Sequence, residues 1–293
     1  MSYIDLHMHS MYSDDGEFTP TQLVDMCHDA GVKIMAIADH NWIKANKEAA
    51  NRCKELGMIY IPAIEIDCTY KGINLHVVGY GIDGSEVFNK LGESIETQEQ
   101  TCSLKKLELT NKLGFELTKD QLDALSTNGV YTGEMFAEAL LKDPRYNDSD
   151  LLEPYREGGD RSDNPYVNFY WDYYAQGKPC YTEIKFPTLE ETIKLIKEHG
   201  GISVLAHPGN NLKGQFEVFD EMIKLGLNGV ECFSSYHPEE VNKYFYNKAK
   251  ELNVLYTCGS DFHGKTKPAI HLGGNGCDVP EEVEDNLKKY GLI

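Results

Sequence analysis

The chain has 293 residues, 41% apolar and 26% charged, enough to bury a large core as one α/β domain or as a domain carrying an insertion. Its 28 Lys and Arg against 47 Asp and Glu leave a formal charge of −19, which argues against broad binding to duplex nucleic acid or an anionic membrane. An anionic substrate stays compatible, because bound divalent cations reverse the local field.

In chain order, Tyr3, Ile4 and Leu6 suit a short strand, and His7 and His9, two residues apart, then point from one face. "TPTQLVDMCHDAG" predicts a helix with Thr19 as N-cap, Pro20 at the first position and Gly31 as the stop. "KIMAIADH" reads as a buried strand, "KANKEAANRCKELG" as a helix closed by Gly57, and "MIYIPAIE" and "NLHVVGYG" as two strands. From about Glu86 to Gln176 the pattern breaks into polar, helix-prone sequence and then a stretch rich in Tyr, Asp and Asn. It resumes with the capping-box helix "TLEETIKLIKEHGG" and strand "ISVLAHP". A helix, strand "NGVECF", a helix from Pro238 to Leu252, strand "NVLYTCGSDFH" and a last helix near Glu281 to Tyr290 follow. Seven strand candidates with intervening helices predict a barrel-like α/β fold, with its strand order left open.

No apolar run is long enough to span a bilayer, and the N-terminus lacks the apolar region of a signal peptide. Eight cysteines form no CxxC pair, so they read as reduced thiols of a cytoplasmic protein.

The polar residues fall where barrel enzymes place their chemistry, at the carboxyl ends of the strands. That rule collects His7 and His9, Asp39 and His40, Glu65, His207, and Asp261 with His263. His76 lies within "NLHVVGYG", and Asp14 and Asp15 sit in the loop after the first strand. One HxH pair is a weak signal, and any single histidine is more often a core or surface residue. His28, His199 and His271 are left to that ordinary role. So many imidazoles and carboxylates at strand ends exceed what one ion needs and point to a cluster of Zn, Mn or Fe.

"DLHMHS", "SDDG", "ADHN", "IPAIEI", "HVVGYGI", "LAHPG" and "GSDFHG" together resemble the PHP (polymerase and histidinol phosphatase) superfamily of metal-dependent phosphoesterases. The branch most similar in "GGISVLAHPG", "GVECFSSYH" and "GSDFHGKTKP" is that of the nucleoside 3′,5′-bisphosphate phosphatases and 5′-3′ exoribonucleases. The resemblance implies a distorted seven-stranded (β/α)7 TIM-like barrel, residues 1–85 and 177–293, with a mainly helical insertion over residues 86–176. It implies two or three divalent ions, Mn, Fe or Zn. His7, His9, Glu65 and Asp261 would hold the first. Glu65 would bridge to a second held by His76 and His207, and Asp15, His40 and His263 would hold a third. The family loop usually reads SDG and here reads "SDDG", so Asp14 stands as the alternative to Asp15.

Clustered divalent ions suit hydrolysis of phosphomonoesters, by hydroxide attack at phosphorus with the phosphoryl oxygens clamped. Glu65 would be catalytic as the bridge. Lys178, Lys265, Lys267 and His237 are candidates for substrate contact, although as lysines on a surface they read equally well as solvated. His237, after strand "NGVECF", could also give a proton to the leaving oxygen. The expected partner is a small phosphorylated molecule, a nucleotide above others, with no duplex DNA, membrane or obligate protein partner. "YVNFYWDYY" offers stacking surfaces for a base, or equally glue between insertion and barrel. Rival readings are a histidinol-phosphate phosphatase, a hydrolase of C–N bonds, and a non-catalytic metal-binding module. The presence of Glu65 where C–N hydrolases commonly use a carboxylated lysine weighs against the second. The full ligand set weighs against the third.

Overall fold

The computed structural model describes all 293 residues. The elements are β1 (Ile4–Asp5), α1 (Pro20–Asp29), β2 (Ile34–Met35), α2 (Asn46–Leu56), β3 (Ile59–Tyr60), β4 (Ala63–Tyr70) and β5 (Ile73–Tyr80). Then come α3 (Glu86–Lys112), α4 (Lys119–Asp123), α5 (Gly133–Lys142), α6 (Pro165–Tyr173), α7 (Leu189–Glu198), β6 (Ile202–Leu205) and α8 (Pro208–Leu212). The last are α9 (Val218–Leu225), β7 (Gly229–Ser234), α10 (Glu239–Leu252), β8 (Leu255–Gly259) and α11 (Pro280–Lys289). Local chemistry sets many boundaries. Thr19 with Gln22, and Thr188 with Glu191, form capping boxes at α1 and α7, satisfying first-turn N–H groups. Gly57 closes α2 in the left-handed conformation that favours glycine.

The strands form two sheets rather than one closed seven-stranded barrel, which corrects the expectation in detail while keeping the mixed α/β class. β1, β2 and β3 are parallel, in that order. The second sheet runs β4-β5-β6-β7-β8, antiparallel across β4/β5 and β5/β6 and parallel from β6 to β8. The extra strand arises inside "MIYIPAIE". Pro62 brings no N–H to a ladder, and the run divides there into β3 and β4. Lys71 and Gly72, both at positive φ, turn β4 directly into β5, so an antiparallel hairpin replaces the expected crossover. The sheets meet along two seams. At one, Glu65 N–H donates to Asp39 O at 3.1 Å and Asn41 N–H to Glu65 O at 2.6 Å. At the other, Leu6 N–H donates to Cys258 O at 3.0 Å and Asp261 N–H to His7 O at 2.7 Å.

A core of 37 buried apolar residues fills the space between the sheets and α7, α9, α10 and α11. A second cluster packs α1 and α2 on β2 through Leu23, Val24, Cys27 and Met35. The third, of 13 residues, lies wholly between Phe115 and Cys180 and includes the fully buried Phe136 and Phe169. That segment therefore has apolar packing of its own, whereas Phe88 at the start of α3 belongs to the main core. No helix is long and apolar enough to cross a membrane.

Candidate metal centre

Both seams deliver polar side chains to one place. β1 runs on through His7 and His9, whose alternate side chains share a face and are fully buried. Glu65, fully buried in β4, stands two residues before Asp67 on the same face, and Asp67 lies directly opposite His76 on β5. His207 follows β6 and Asp261 follows β8, at φ of 23° and 56°. Both non-glycine residues hold the left-handed conformation that is tolerated where surrounding structure enforces it, as at functional sites.

Glu65 is the hub. Its Oε2 lies 3.1 Å from His7 Nε2, 3.2 Å from His9 Nε2 and 3.1 Å from His40 Nδ1. Its Oε1 lies 3.0 Å from His76 Nδ1 and 3.1 Å from His207 Nε2. Asp261 Oδ1 is 3.0 Å from His9 Nε2, and Asp15 Oδ2 is 3.3 Å from His263 Nε2. Despite these distances His7 Nε2, His9 Nε2, His40 Nδ1, Glu65 Oε2 and Asp15 Oδ1 have no hydrogen-bond partner, although buried. Five orphaned ligand atoms in one place need an explanation. Two ligand atoms each about 2.1 Å from one ion, at angles between right and tetrahedral, lie roughly 3.0–3.4 Å apart, so the donor set fits divalent ions. Three overlapping groups have ligand atoms within 4.8 Å of one another: His7, Glu65, His207 and Asp261; His9, His40 and His263; and His40, Asp67 and His76.

Acceptors behind the imidazoles select the tautomer that presents the other nitrogen to the centre. His7 Nδ1–H donates to Glu231 at 3.1 Å, His207 Nδ1–H to Asn211 at 2.8 Å and His263 Nδ1–H to Asp261 O at 2.9 Å. Asp39 accepts from the Ser13 hydroxyl at 3.1 Å, which leaves Ser13 Oγ to accept from His9 Nδ1–H at 2.9 Å. Gly259 is required beneath His7, since a Cβ there would lie 2.2 Å from His7 Cβ.

Electrostatics follow the geometry. Burial raises the Glu65 carboxyl, but the charges of His7, His76 and His40 prevail and hold it well below the usual carboxylate range. Burial also opposes a proton on His76, yet Glu65 and Asp67 raise it to about 9. Asp15 is buried too, and the charges of His263, His40 and Lys267 lower it to about 2. Asp14 is pushed up by burial and turns to the segment 86–176, where it accepts from Asn128 at 2.8 Å. Of the two loop aspartates, Asp15 is the one beside the imidazoles.

A cavity of about 400 Å³ opens above the centre, walled on one side by His40, His76, His207 and Asp261 and on the other by Glu134, Tyr170, Trp171 and Tyr174. Of the cationic candidates, Lys267 borders it, buried, with Nζ 2.7 Å from Asp261 Oδ2. Lys265 pairs instead with Glu138 at 3.0 Å, and Lys178 is exposed and away from the cavity. His237 is also placed elsewhere. Its Nδ1–H donates to Cys232 O at 3.2 Å and its Nε2 accepts from Gly209 N–H at 3.0 Å, so backbone uses both nitrogens and it has no proton to give into the cavity. Of the aromatic run, Tyr170 and Trp171 line the cavity, while Tyr173 packs on Phe169 with ring centroids 4.5 Å apart. Sequence reasoning missed Asp67, Glu231 and Glu134. Asp67 had a signal, the same-face position two residues after Glu65, and so did Glu231, a charge inside the buried run "GVECF".

The PHP domain family matches residues 5–159, more than half of the chain. The chain belongs to the PHP domain family. It is 27% identical, over 88% of its length and 89% of the relative's, to a 5′-3′ exoribonuclease of Haemophilus influenzae. A phosphoribosyl 1,2-cyclic phosphate 1,2-diphosphodiesterase of Eggerthella lenta is 25% identical over 92% of this chain and 97% of its own. A 3′,5′-nucleoside bisphosphate phosphatase of Chromobacterium violaceum is 26% identical over 93% and 91%. Among solved structures, a candidate metal-dependent phosphoesterase from Bifidobacterium adolescentis superposes with a TM-score of 0.73 at 26% identity, covering 98% of this chain and 96% of that one. The enzyme class expected from the motifs, hydrolysis of phosphoesters, is the class these relatives carry by name.

Proposed function

We propose that the chain hydrolyses phosphomonoesters of nucleotides, a 3′,5′-bisphosphonucleotide or a 5′-phosphorylated oligonucleotide, at a centre of two or three Mn, Fe or Zn ions. The observation that carries this is the set of five buried, unpartnered ligand atoms around Glu65. His7, His9, Asp15, His40, Glu65, His76, His207, Asp261 and His263 would hold the ions, with Asp67 added to them for its 3.0 Å approach to His76. When bound, the ions supply a lowered pKa for water and positive charge against the phosphoryl oxygens. Glu65 keeps the ligands together, its two oxygens facing five imidazoles. Glu231, Asn211 and Ser13 keep the imidazoles turned inward. Lys267, fixed by Asp261, brings an ammonium group to the cavity wall for a phosphoryl oxygen. Tyr170 and Trp171 offer ring faces to a base.

In this reading residues 1–85 and 177–293 act as the distorted seven-stranded (β/α)7 TIM-like barrel and 86–176 as a cap. The two hydrogen-bonded seams between the sheets, and the separate apolar cluster from Phe115 to Cys180, support that division. Eight free cysteines support a cytoplasmic setting. The test is elemental analysis of purified protein followed by a panel of phosphoesters with Mn²⁺ present. Protein that carries no transition metal, or that leaves every nucleotide intact, overturns the reading.

A further inference from the structure

A second recess, of about 260 Å³, adjoins the main cavity and shares Trp171 and Tyr236 with it as a common wall. It is bounded by the first turn of α6 and by Arg161. We propose that this recess is a second phosphate subsite, which makes the substrate a molecule with two phosphate groups. The inference rests on the phosphoesterase reading and narrows its substrate class.

The first turn of α6 is open. Asn164 occupies the N-cap position without capping, Pro165 has no N–H, and the N–H groups of Tyr166 and Val167 meet no acceptor in the protein. Such a turn favours an anion. Asn164 itself points to a ligand. It is only 7% exposed, its Oδ1 accepts from Ala269 N–H at 3.0 Å, and this bond fixes the amide so that Nδ2 borders the recess without a partner. Arg161 stands beside it. Asp172 takes its Nε at 3.0 Å and its Nη2 at 3.1 Å, holding the guanidinium plane still while Nη1 stays unengaged. The one carboxylate on the wall, Asp163, already accepts from Asn168 at 2.7 Å. What remains is a donor-only set of guanidinium, amide and helix N–H groups, which matches phosphate oxygens. The wall shared with the metal-bearing cavity lets one substrate reach both places.

Two chemistries supply such a phosphate: the second monoester of a bisphosphonucleotide, or the next phosphodiester of an oligonucleotide. Asn164→Asp separates the subsite from the fold, because it keeps the oxygen that Ala269 needs and replaces the donor with a repelling oxygen. Full-length, Mn²⁺-loaded protein is assayed on adenosine 3′,5′-bisphosphate, on a 5′-phosphorylated adenosine dinucleotide and on adenosine 5′-monophosphate. The KM of at least one two-phosphate substrate should rise about tenfold relative to the monophosphate. An effect on the bisphosphate assigns the monoester, and an effect on the dinucleotide assigns the diester. Arg161→Gln should shift the same ratio in the same direction. Equal factors on all three substrates overturn the subsite. Calorimetric binding of the same ligands reads the ratio without turnover: a preserved ratio with no cleavage removes only the phosphoesterase reading, and absence of binding removes the subsite.

Discussion

Glu65→Gln tests the hub directly. Glutamine keeps the volume, and the backbone bonds of residue 65 to Asp39 and Asn41 do not depend on the side chain, so the seam between the sheets should persist. What disappears is one negative charge at 3.0–3.2 Å from five imidazole nitrogens, in a fully buried position. Removing one partner of a buried charge pair costs about 3–5 kcal/mol, and loss of one well-placed electrostatic contact in a transition state costs about 3–4 kcal/mol. A loss of about 4 kcal/mol corresponds to roughly 10³-fold in kcat/KM. The assay pairs metal content per chain with kcat/KM on a nucleotide monoester at saturating Mn²⁺, with circular dichroism as the check on folding. A folded variant with unchanged metal content and kcat/KM within about threefold of the parent would refute the reasoning, because no central ligand can be neutralised that cheaply.

Asp15→Asn should lower kcat/KM about 10- to 100-fold, and Asp14→Asn much less, since only Asp15 faces His263; the reverse order under identical metal loading would move the ligand to Asp14. Tyr170→Ala or Trp171→Ala should raise KM for a nucleotide roughly five- to thirtyfold beyond the change for an aryl phosphate, while Tyr173→Ala should lower Tm with no such selectivity; equal effects on both substrates would assign all three rings to packing. In chelator-treated protein His76 sits above its unfolded value, at about 9, so its stabilising contribution is full below about pH 6.5 and is lost as pH rises through about 9. Tm measured by scanning fluorimetry should fall across that window without metal and recover on adding Mn²⁺; a flat profile without metal would show that the proton on His76 plays no such part.

Much of the centre is legible in the sequence because it sits on regular periods. His7 and His9 share a face by strand alternation, and His207, Asp261 and His263 follow apolar runs whose carboxyl ends are easy to mark. Helix limits at Thr19, Gly57 and Thr188 are legible for the same local reason, since a cap is a property of a few adjacent residues. The division of the strands into two sheets is not, because pairing is decided by partners far apart in sequence. Nothing near Leu6 announces Cys258, and nothing near Asp39 announces Glu65.

The same distinction explains His237. Its place after a strand end marked it as solvent-facing chemistry, but α8 and β7 bring Gly209 N–H and Cys232 O to its two nitrogens, contacts that no local pattern reveals. Glu134 is the converse case. It is an ordinary glutamate in the first turn of α5, and only the folding of the segment 86–176 over the strands turns it into the cavity wall, where burial and the nearby charge of Asp15 raise its carboxyl to about 7. The metal ligands come from the strands and adjoining loops, whose order along the chain is simple. The substrate contacts come from the packing of one segment against another. That is why the class of chemistry is read from motifs, while the choice of phosphoester depends on Arg161, Asn164, Tyr170 and Trp171, residues whose meaning exists only once the segment has folded over the centre.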